Sequence, residues 1–257
     1  MSSMEVIVLG SGTSHGVPMI GCRCPVCLSK DPRDKRTRAS IFVRFCEAKI
    51  LVDTAPELRL QCVANGIDAL DAVLFTHAHA DHILGIDDLR RFNWLMQRAT
   101  PCYGTDATLA VIRGMFAYAF EPAPGSPHSR PQLELNVIDD RPFAIRGQTV
   151  IPVPLLHGPM PVMGFRFGRF AYCTDCNRIP ESSLGLLRDL DVLILDALRK
   201  EPHPAHFSLD EAVEMAKRIG ARRTYFTHMT HQLPHGATNA ELPAGIELGF
   251  DGLTASL

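Results

Sequence analysis

Three histidines and an aspartate stand within six residues in the segment HAHADH, residues 77–82, directly after the apolar run AVLF. Core packing cannot explain this segment, because each buried imidazole ring would need a polar partner or a metal ion. On an extended chain His77 and His79 point to the same side, and Asp81 and His82 can face a second position across a turn. The segment therefore predicts two metal ions held close together, and a solvated histidine-rich loop is the less favoured alternative.

Short apolar runs recur along the chain and alternate with amphipathic stretches. Their β-branched and aromatic content predicts strands at EVIVLG, ASIFVRF, KILVDT, AVLFTH, TVIPVPLLH, GFRFGRFAYCTD, DVLILDA and RTYFTH. Helical periodicity predicts helices at APELRLQCVANGI, IDDLRRFNWLMQRA, DATLAVIRGMFAYAF and SLDEAVEMAKRIG. The last helix begins with Ser208 and Glu211 at capping-box spacing and ends at Gly220. Hairpin-like strands followed by strand–helix units predict two sheets covered by outer helices, in a single domain over residues 1–257.

Composition and charge exclude several classes of protein. The formal net charge of −2 gives no reason to expect non-specific binding to nucleic acids or membranes. The sequence contains no run of about 18 apolar residues, the length that would predict a membrane span. Its first residues also lack the pattern of a signal peptide. We therefore expect a cytoplasmic protein whose eight cysteines are reduced thiols or metal ligands. Residues 121–131, rich in Pro, Gly and Ser, predict a loop, and such loops would determine substrate specificity.

Three further potential ligands stand where predicted strands end. His157 ends TVIPVPLLH, Asp175 ends FAYCTD and His228 ends TYFTH. Strand ends are rigid supports on which separate parts of a chain can converge. Each of these residues alone would be an ordinary polar residue at a strand end or turn. Together with HAHADH they provide five imidazoles and two carboxylates, enough for two metal ions that share one carboxylate.

With Asp53 in LVDT, these motifs resemble, in their order along the chain, those of the metallo-β-lactamase superfamily. The resemblance implies an αββα four-layer sandwich, in which two mixed β-sheets are flanked by helices and a dimetal site lies at one edge. It also implies the role of each residue: His77, His79 and His157 bind one metal, Asp81, His82 and His228 bind the other, Asp175 bridges them, and Asp53 orients the site without binding metal.

A second cluster of potential ligands lies in GCRCPVC, within the cysteine-rich loop 21–31. Cys22, Cys24 and Cys27 are spaced to wrap around one tetrahedral zinc, with His231 of THMTH as the candidate fourth ligand, although they could also be plain thiols. This pairing resembles the PhnP-type branch of the superfamily, whose founding members are cyclic phosphodiesterases and in which these ligands hold a structural zinc. The other cysteines are expected in the core: Cys46, Cys62, Cys102, Cys173 and Cys176.

One histidine outside these clusters suggests the chemistry. His206 in HFSLDEA lies in a loop that enters a predicted helix, and it resembles the histidine that assists leaving-group departure in transfer-RNA 3′-processing nucleases and PhnP-type enzymes. Asp196, at the end of DVLILDA, can support the site through hydrogen bonds. Two metals about 3.5–4 Å apart can activate a bridging water for in-line attack on phosphorus. His206 and Asp81 are therefore the catalytic candidates.

The favoured function is hydrolysis of a small phosphodiester, and the sequence does not decide between a cyclic and a nucleotide-like ester. The enzyme would hold two divalent metals in the active site, zinc or manganese, and one structural zinc. A hydrolase of carboxylic esters, thioesters or lactams is the alternative, and a non-catalytic accessory protein on the same fold is the third. The expected partner is a small-molecule phosphoester; a homodimer is compatible, and nucleic acid is disfavoured because no long basic arm is present. Weaker candidates for substrate contact are His15, His203, His235 and Arg38.

Overall fold

A computed structural model of the protein describes residues 4–121 and 129–257. Within these residues the chain forms two β-sheets of seven strands each. In spatial order, the first sheet consists of β14 (Thr254–Ser256), β1 (Met4–Gly10), β2 (Ser40–Phe45), β3 (Ala48–Val52), β4 (Ala72–Leu74), β5 (Thr100–Gly104) and β6 (Leu133–Val137). The second consists of β13 (Ile246–Leu248), β12 (Arg223–Thr227), β11 (Val192–Asp196), β10 (Phe170–Cys173), β9 (Met160–Phe167), β8 (Gln148–His157) and β7 (Phe143–Ile145).

Both sheets are mixed, with an antiparallel half and a parallel half. In the first sheet β14, β1, β2 and β3 pair antiparallel, and β3 to β6 pair parallel. In the second sheet β7 to β10 pair antiparallel, and β10 to β13 pair parallel. Parallel strands end at the same edge of a sheet. The loops that follow β4, β10, β11 and β12 therefore gather where the edges of the two sheets meet.

Three apolar layers hold the sheets and helices together. Along β1, Val6 and Val8 pack between the sheets against residues such as Phe165, whereas Ile7 and Leu9 face the helices on the outer side. Because both faces of the strand are buried, its sequence is an almost continuous apolar run and does not alternate with polar residues. A third layer lies between the second sheet and its own helices.

Helices cover the outer face of each sheet. They are α1 (Leu58–Ala64), α2 (Ala80–Ile83), α3 (Leu89–Met96), α4 (Asp106–Met115), α5 (Glu181–Leu184), α6 (Leu209–Ile219) and α7 (His235–Glu241). Residues of α1, α3 and α4 pack on the first sheet, and residues of α6 pack on the second. Helix α6 has the predicted capping box, and it ends at Gly220 with φ 72°, which suits glycine. The four-layer architecture predicted from the resemblance is confirmed.

Several local predictions differ from the structure. The run GFRFGRFAYCTD is a hairpin that turns at Gly168, where φ is 52°. The strand predicted at AVLFTH ends at Leu74, so His77 and His79 follow the strand and do not lie on it. Cys46 is exposed at the turn between β2 and β3, whereas the other cysteines expected in the core are buried. Of the predicted loop 121–131, residues 122–128 lie outside the described chain.

In the part of the chain that the structure describes, no helix is both long enough and apolar enough to cross a membrane.

Candidate metal centres

The HAHADH segment forms an extended turn that leads into the short helix α2. His79 has φ −66° and ψ 150° and precedes the helix, and Asp81 and His82 lie on the helix itself. The backbone N–H of His82 donates to the carbonyl of His79 at 3.0 Å, which closes the turn. The local chain thus brings His77 and His79 to one position and Asp81 and His82 to a neighbouring one, as expected from their spacing.

The first cluster consists of His77, His79, His157 and Asp175, whose potential ligand atoms all lie within 4.8 Å of one another. The ring centroids of His77 and His79 are 4.5 Å apart, and those of His79 and His157 are 5.1 Å apart. His157 is the last residue of β8, which brings a residue of the second sheet to the loop that follows the first sheet. His79 is exposed, so solvent reaches this cluster from one side.

The second cluster consists of Asp81, His82, Asp175 and His228, and it is entirely buried. Asp175 Oδ2 lies 3.3 Å from the Nε2 atoms of both His82 and His228. The same oxygen lies 3.8 Å from Nε2 of His77, a member of the first cluster. A single carboxylate oxygen therefore faces both clusters.

The donor atoms of these clusters fit a pair of divalent cations. Among the described residues, the buried Nε2 atoms of His77, His82 and His228 have no hydrogen-bond partner. A buried polar atom without a partner is rare in proteins and costly, and coordination of a metal ion is one way in which such an atom is satisfied. The imidazole and carboxylate donors suit zinc and manganese.

The electrostatics of the clusters favour bound positive charge. Burial holds the pKa of His77 well below its ordinary value, which keeps the ring neutral, as a metal ligand must be. Burial also lowers the pKa of His82, but Asp175 and Asp53 outweigh it and raise that pKa well above its ordinary value. Burial raises the pKa of Asp175, and the nearby His228 and His82 rings hold it well below its ordinary range. The carboxylate is therefore ionised and needs cations beside it.

Asp53 lies beneath the clusters and is completely buried. Its Oδ1 accepts a hydrogen bond from the backbone N–H of Thr76 at 2.9 Å. Its Oδ2 accepts one from the Thr76 hydroxyl at 2.8 Å and lies 2.7 Å from His82 Nδ1. Asp53 belongs to neither group of potential ligands and contacts His82 from outside both clusters. The orienting role that the resemblance implies stays a prediction.

The backbone is strained at three residues of this centre. Asp53, Asp175 and His228 have φ angles of 63°, 52° and 61°, in the left-handed region that non-glycine residues seldom adopt. Such conformations persist where the surrounding structure holds them, and they are concentrated at functional sites. All three residues follow closely after a strand, so the strain accompanies the sharp turn that aims each side chain into the centre.

His206 stands beside both clusters without belonging to either. Its Nδ1 lies 3.1 Å from Asp196 Oδ1, and the backbone N–H of Phe207 donates to the other oxygen of Asp196 at 3.0 Å. The His206 ring lies 4.5 Å from the ring of His157 and 4.6 Å from that of His228, measured between centroids. Asp196 thus fixes the ring between two ligand candidates and leaves Nε2 for another partner.

A separate cluster is formed by Cys22, Cys24, Cys27 and His231, whose potential ligand atoms lie within 4.8 Å of one another. His231 Nδ1 is 3.4 Å from the sulfur of Cys22 and 3.1 Å from that of Cys24. Hydrogen bonding from the Cys27 backbone and His231 lowers the pKa of Cys24 to about 6, whereas burial raises that of Cys27 to about 11. The structure therefore brings together the four residues proposed from their spacing, in a geometry that suits one tetrahedral zinc.

Of the weaker candidates, His203 lies close to His206, and His15 lies close to the cysteine cluster. The ring of His203 is 5.2 Å from that of His206 between centroids. His15 is exposed and lines a small pocket together with Arg199 and His231. Neither residue belongs to a group of potential metal ligands.

The other two weaker candidates are engaged elsewhere. Arg38 forms an ion pair with Glu57, and its Nε donates to the carbonyl of Ser14 at 3.1 Å. His235 is buried at the start of α7, with its Nε2 2.9 Å from Asn239 Nδ2. Neither contact brings the side chain to the metal clusters.

Two supporting residues had not been predicted from the sequence. The hydroxyl of Thr76 bonds to Asp53 and lies 3.0 Å from His77 Nδ1, so it links the two; its place directly before His77 was the available signal. Arg36 is 2% exposed and donates to the carbonyls of Thr230 and Leu233 at 2.6 and 2.5 Å. In the basic stretch RDKRTR it has the pattern of a surface charge, and nothing in the sequence indicates its burial.

Comparison with known families gives one match over most of the chain. A family described as "Beta-lactamase superfamily domain" matches residues 48–229. The match includes the HAHADH segment, the three ligand candidates at strand ends, and His206.

Individual relatives differ in what they do. A solved diphosphatase of the PhnP family is 44% identical, with a TM-score of 0.93, and the alignment covers 100% of this chain and 98% of that one. An octanoyltransferase of Porphyromonas gingivalis is 39% identical over 98% of this chain and 51% of its own length, so the chain spans about half of that protein. Coenzyme PQQ synthesis protein B of Methylorubrum populi is 31% identical over 75% of this chain and 72% of its own length.

Proposed function

The chain belongs to the β-lactamase superfamily, and from that premise we propose that it is a dinuclear metal-dependent hydrolase of small phosphodiesters. The observation that carries the proposal is the single Asp175 oxygen that faces both ligand clusters. Two ions that share a carboxylate can be held close enough to act on one phosphate. The PhnP-family diphosphatase, 44% identical over the whole chain, supports phosphorus as the centre attacked.

His77, His79 and His157 would hold one ion, Asp81, His82 and His228 the other, and Asp175 both. When bound, such a pair of zinc or manganese ions activates water and withdraws charge from a phosphoryl oxygen. The ligands come from both sheets, and their rotamers are fixed by burial and by contacts such as that of Asp53 with His82. Cys22, Cys24, Cys27 and His231 would hold a structural zinc outside the reaction.

His206 would give a proton to the departing alcohol. Asp196 holds Nδ1, so Nε2 is the atom left to face a substrate oxygen. Burial lowers the pKa of His206, which makes its protonated form a stronger acid. A positioned general acid contributes about 10²–10⁴-fold to rate. His206 also forms a group of potential ligands with Asp196 and His228, but Asp196 already holds its Nδ1. Because neither His206 nor Asp196 belongs to the two clusters that share Asp175, loss of His206 should leave both ions in place.

The test compares His206→Ala with His203→Ala, a histidine of the same loop, on a cyclic nucleotide monophosphate with added Mn²⁺ or Zn²⁺, because the alkoxide that leaves this substrate needs a proton. We expect His206→Ala to retain its metal content and lose at least about 100-fold in kcat, while His203→Ala stays close to the unsubstituted protein. Equal loss in both variants would mean that the loop structure matters and not the proton. No phosphodiester turnover by the metal-loaded protein, together with rapid ester or thioester hydrolysis, would refute the proposed function.

A further inference from the structure

An apolar pocket opens beside the first cluster, and none of the chemical steps proposed above uses it. Its volume is about 390 Å³, within the range of pockets that hold small organic ligands. Ala107 and Val111 of α4 line one side, and Met160 and Val162 of β9 line the other. His77 also lines the pocket, so the space adjoins the cluster directly.

The described lining of the pocket contains no aspartate, glutamate, lysine or arginine. Its two hydroxyl groups, those of Thr105 and Thr108, lie 3.0 Å apart and bond to each other. The Thr105 hydroxyl also accepts from the backbone N–H of Thr108 at 3.3 Å, as the cap of α4. Since these groups are already paired, the pocket offers few free donors or acceptors, and a polar ligand group would lose its hydrogen bonds to water there.

The position of the pocket decides which part of a substrate it can receive. His206, the proposed proton donor, does not line it; His206 packs instead against His157 and His228. The alcohol that His206 protonates would therefore depart away from the pocket. The group left for the pocket is the one that remains esterified to phosphate.

We propose that this pocket selects phosphodiesters whose retained ester group is an apolar alkyl or aryl group. The inference rests on the proposed function. Water adds to phosphorus, the P–O bond to the departing alcohol breaks, that alcohol takes a proton, and the apolar group stays on the product as a phosphate monoester. Selectivity arises because each methylene that enters the pocket leaves water.

The kinetic test keeps the leaving group constant and changes only the retained group. Methyl, butyl, octyl and phenyl 4-nitrophenyl phosphates all release the same 4-nitrophenol. We expect kcat/KM to rise at least about tenfold from methyl to the preferred apolar group, and the octyl and phenyl arms to tell a chain-shaped pocket from a ring-shaped one. Equal kcat/KM across the series would overturn the inference while leaving the proposed function intact.

A pair of substitutions on one helix links that preference to the pocket. Ala107→Phe fills the pocket from an exposed position on α4, and Ala110→Phe adds the same ring at an exposed position of the same helix that does not line it. The Ala107→Phe variant should lose most of the preference, and the Ala110→Phe variant should keep both the preference and the turnover of the methyl substrate. A preference unchanged in both variants would place the selecting surface elsewhere.

A binding measurement separates this inference from the proposed function, because it needs no turnover. Calorimetry of the Zn²⁺-loaded protein should show that octylphosphonate or phenylphosphonate binds at least about tenfold more tightly than methylphosphonate. The Ala107→Phe variant should lose this preference, and the Ala110→Phe variant should keep it. If the phosphonates show this preference but no phosphodiester is hydrolysed, the proposed function fails and the pocket stands. Equal affinities, or no binding at all, would refute the pocket.

Discussion

At the scale of single residues, the candidate centre depends on buried side chains that belong to neither ligand cluster. Asp53 holds His82 and the chain before His77 through hydrogen bonds that are all buried. Residues that hold a metal ligand in this way fix its orientation and raise its basicity. Because these hydrogen bonds are buried, a displacement of Asp53 would also displace the ligand atoms of His82.

Asp53→Asn should weaken binding of the metal pair about 10–100-fold. The amide nitrogen cannot accept the hydrogen bonds from Thr76, so one of them is lost whichever way the amide turns. The affinity is measured by titrating Zn²⁺ against a chromophoric chelator. Asp71→Asn is the control, because Asp71 accepts a bond from the Lys49 backbone at the opposite end of the same strand pair. Unchanged affinity in folded Asp53→Asn would contradict the orienting role.

At the scale of elements, the buried strands were predicted and several edge strands were not. β1, β3 and β11 are apolar on both faces, so their runs stand out in the sequence. The sheet ends β7, β13 and β14 are three residues long, and β6 is partly or fully exposed throughout. An edge strand is stabilised by backbone hydrogen bonds and need not bury both of its faces. Because these bonds do not depend on the type of side chain, the composition of such a strand is not distinctive. β5 was missed because TPCYG carries Pro and Gly.

The start of α7 contains a histidine that is buried without charge. Burial lowers the pKa of His235 to about 4 from an ordinary value of 6.5. Its ring packs against Phe250, with centroids 5.6 Å apart. Since the folded state disfavours the proton, this residue contributes full stability above pH 6.5, and the contribution is lost as the pH falls from 6.5 towards 4.

His235→Gln should therefore reduce the loss of stability on acidification. Between pH 7.5 and pH 5, the free energy of unfolding should fall by about 2 kcal/mol less in the variant than in the unsubstituted protein. Urea denaturation of both proteins, with metal removed by chelation, measures the difference. Parallel pH profiles, whatever the absolute stabilities, would show that His235 titrates alike in the folded and unfolded chain.

At the scale of the whole molecule, one short segment carries a ligand candidate of two separate centres. His228 belongs to the second cluster and His231 to the cysteine cluster. Buried Arg36 holds the carbonyl of Thr230 between them. The cysteine loop near the N-terminus is thereby tied to a segment about 200 positions later in the chain, and its metal would stabilise that long-range contact.

Cys24→Ser should remove about one zinc per chain and lower Tm by several degrees, since metal bound only by the folded state adds to its stability. Metal analysis and thermal denaturation measure the two effects. Cys46→Ser is the matched control, because Cys46 is exposed and belongs to no group of potential ligands. A full metal content in Cys24→Ser would contradict the four-ligand site.

Membership of the superfamily and the sandwich fold, both predicted from the order of the motifs, are confirmed. Strand ends and residue types indicated which side chains could bind metal. How they divide between two ions came from the resemblance, because distances between strands remote in sequence cannot be calculated from spacing. The burial of Arg36 and the apolar pocket beside His77 depend on packing between distant segments, and neither leaves a local pattern.

The shared centre also has a consequence for the order of assembly. His77 and His82 follow a strand of the first sheet, whereas Asp175 and His228 follow strands of the second. In the proposed division of ligands neither sheet alone supplies a complete set, so the ions would bind only after the two halves have docked. Bound metal would then hold the two sheets together at the edge where they meet, and its release would accompany their separation when the protein unfolds.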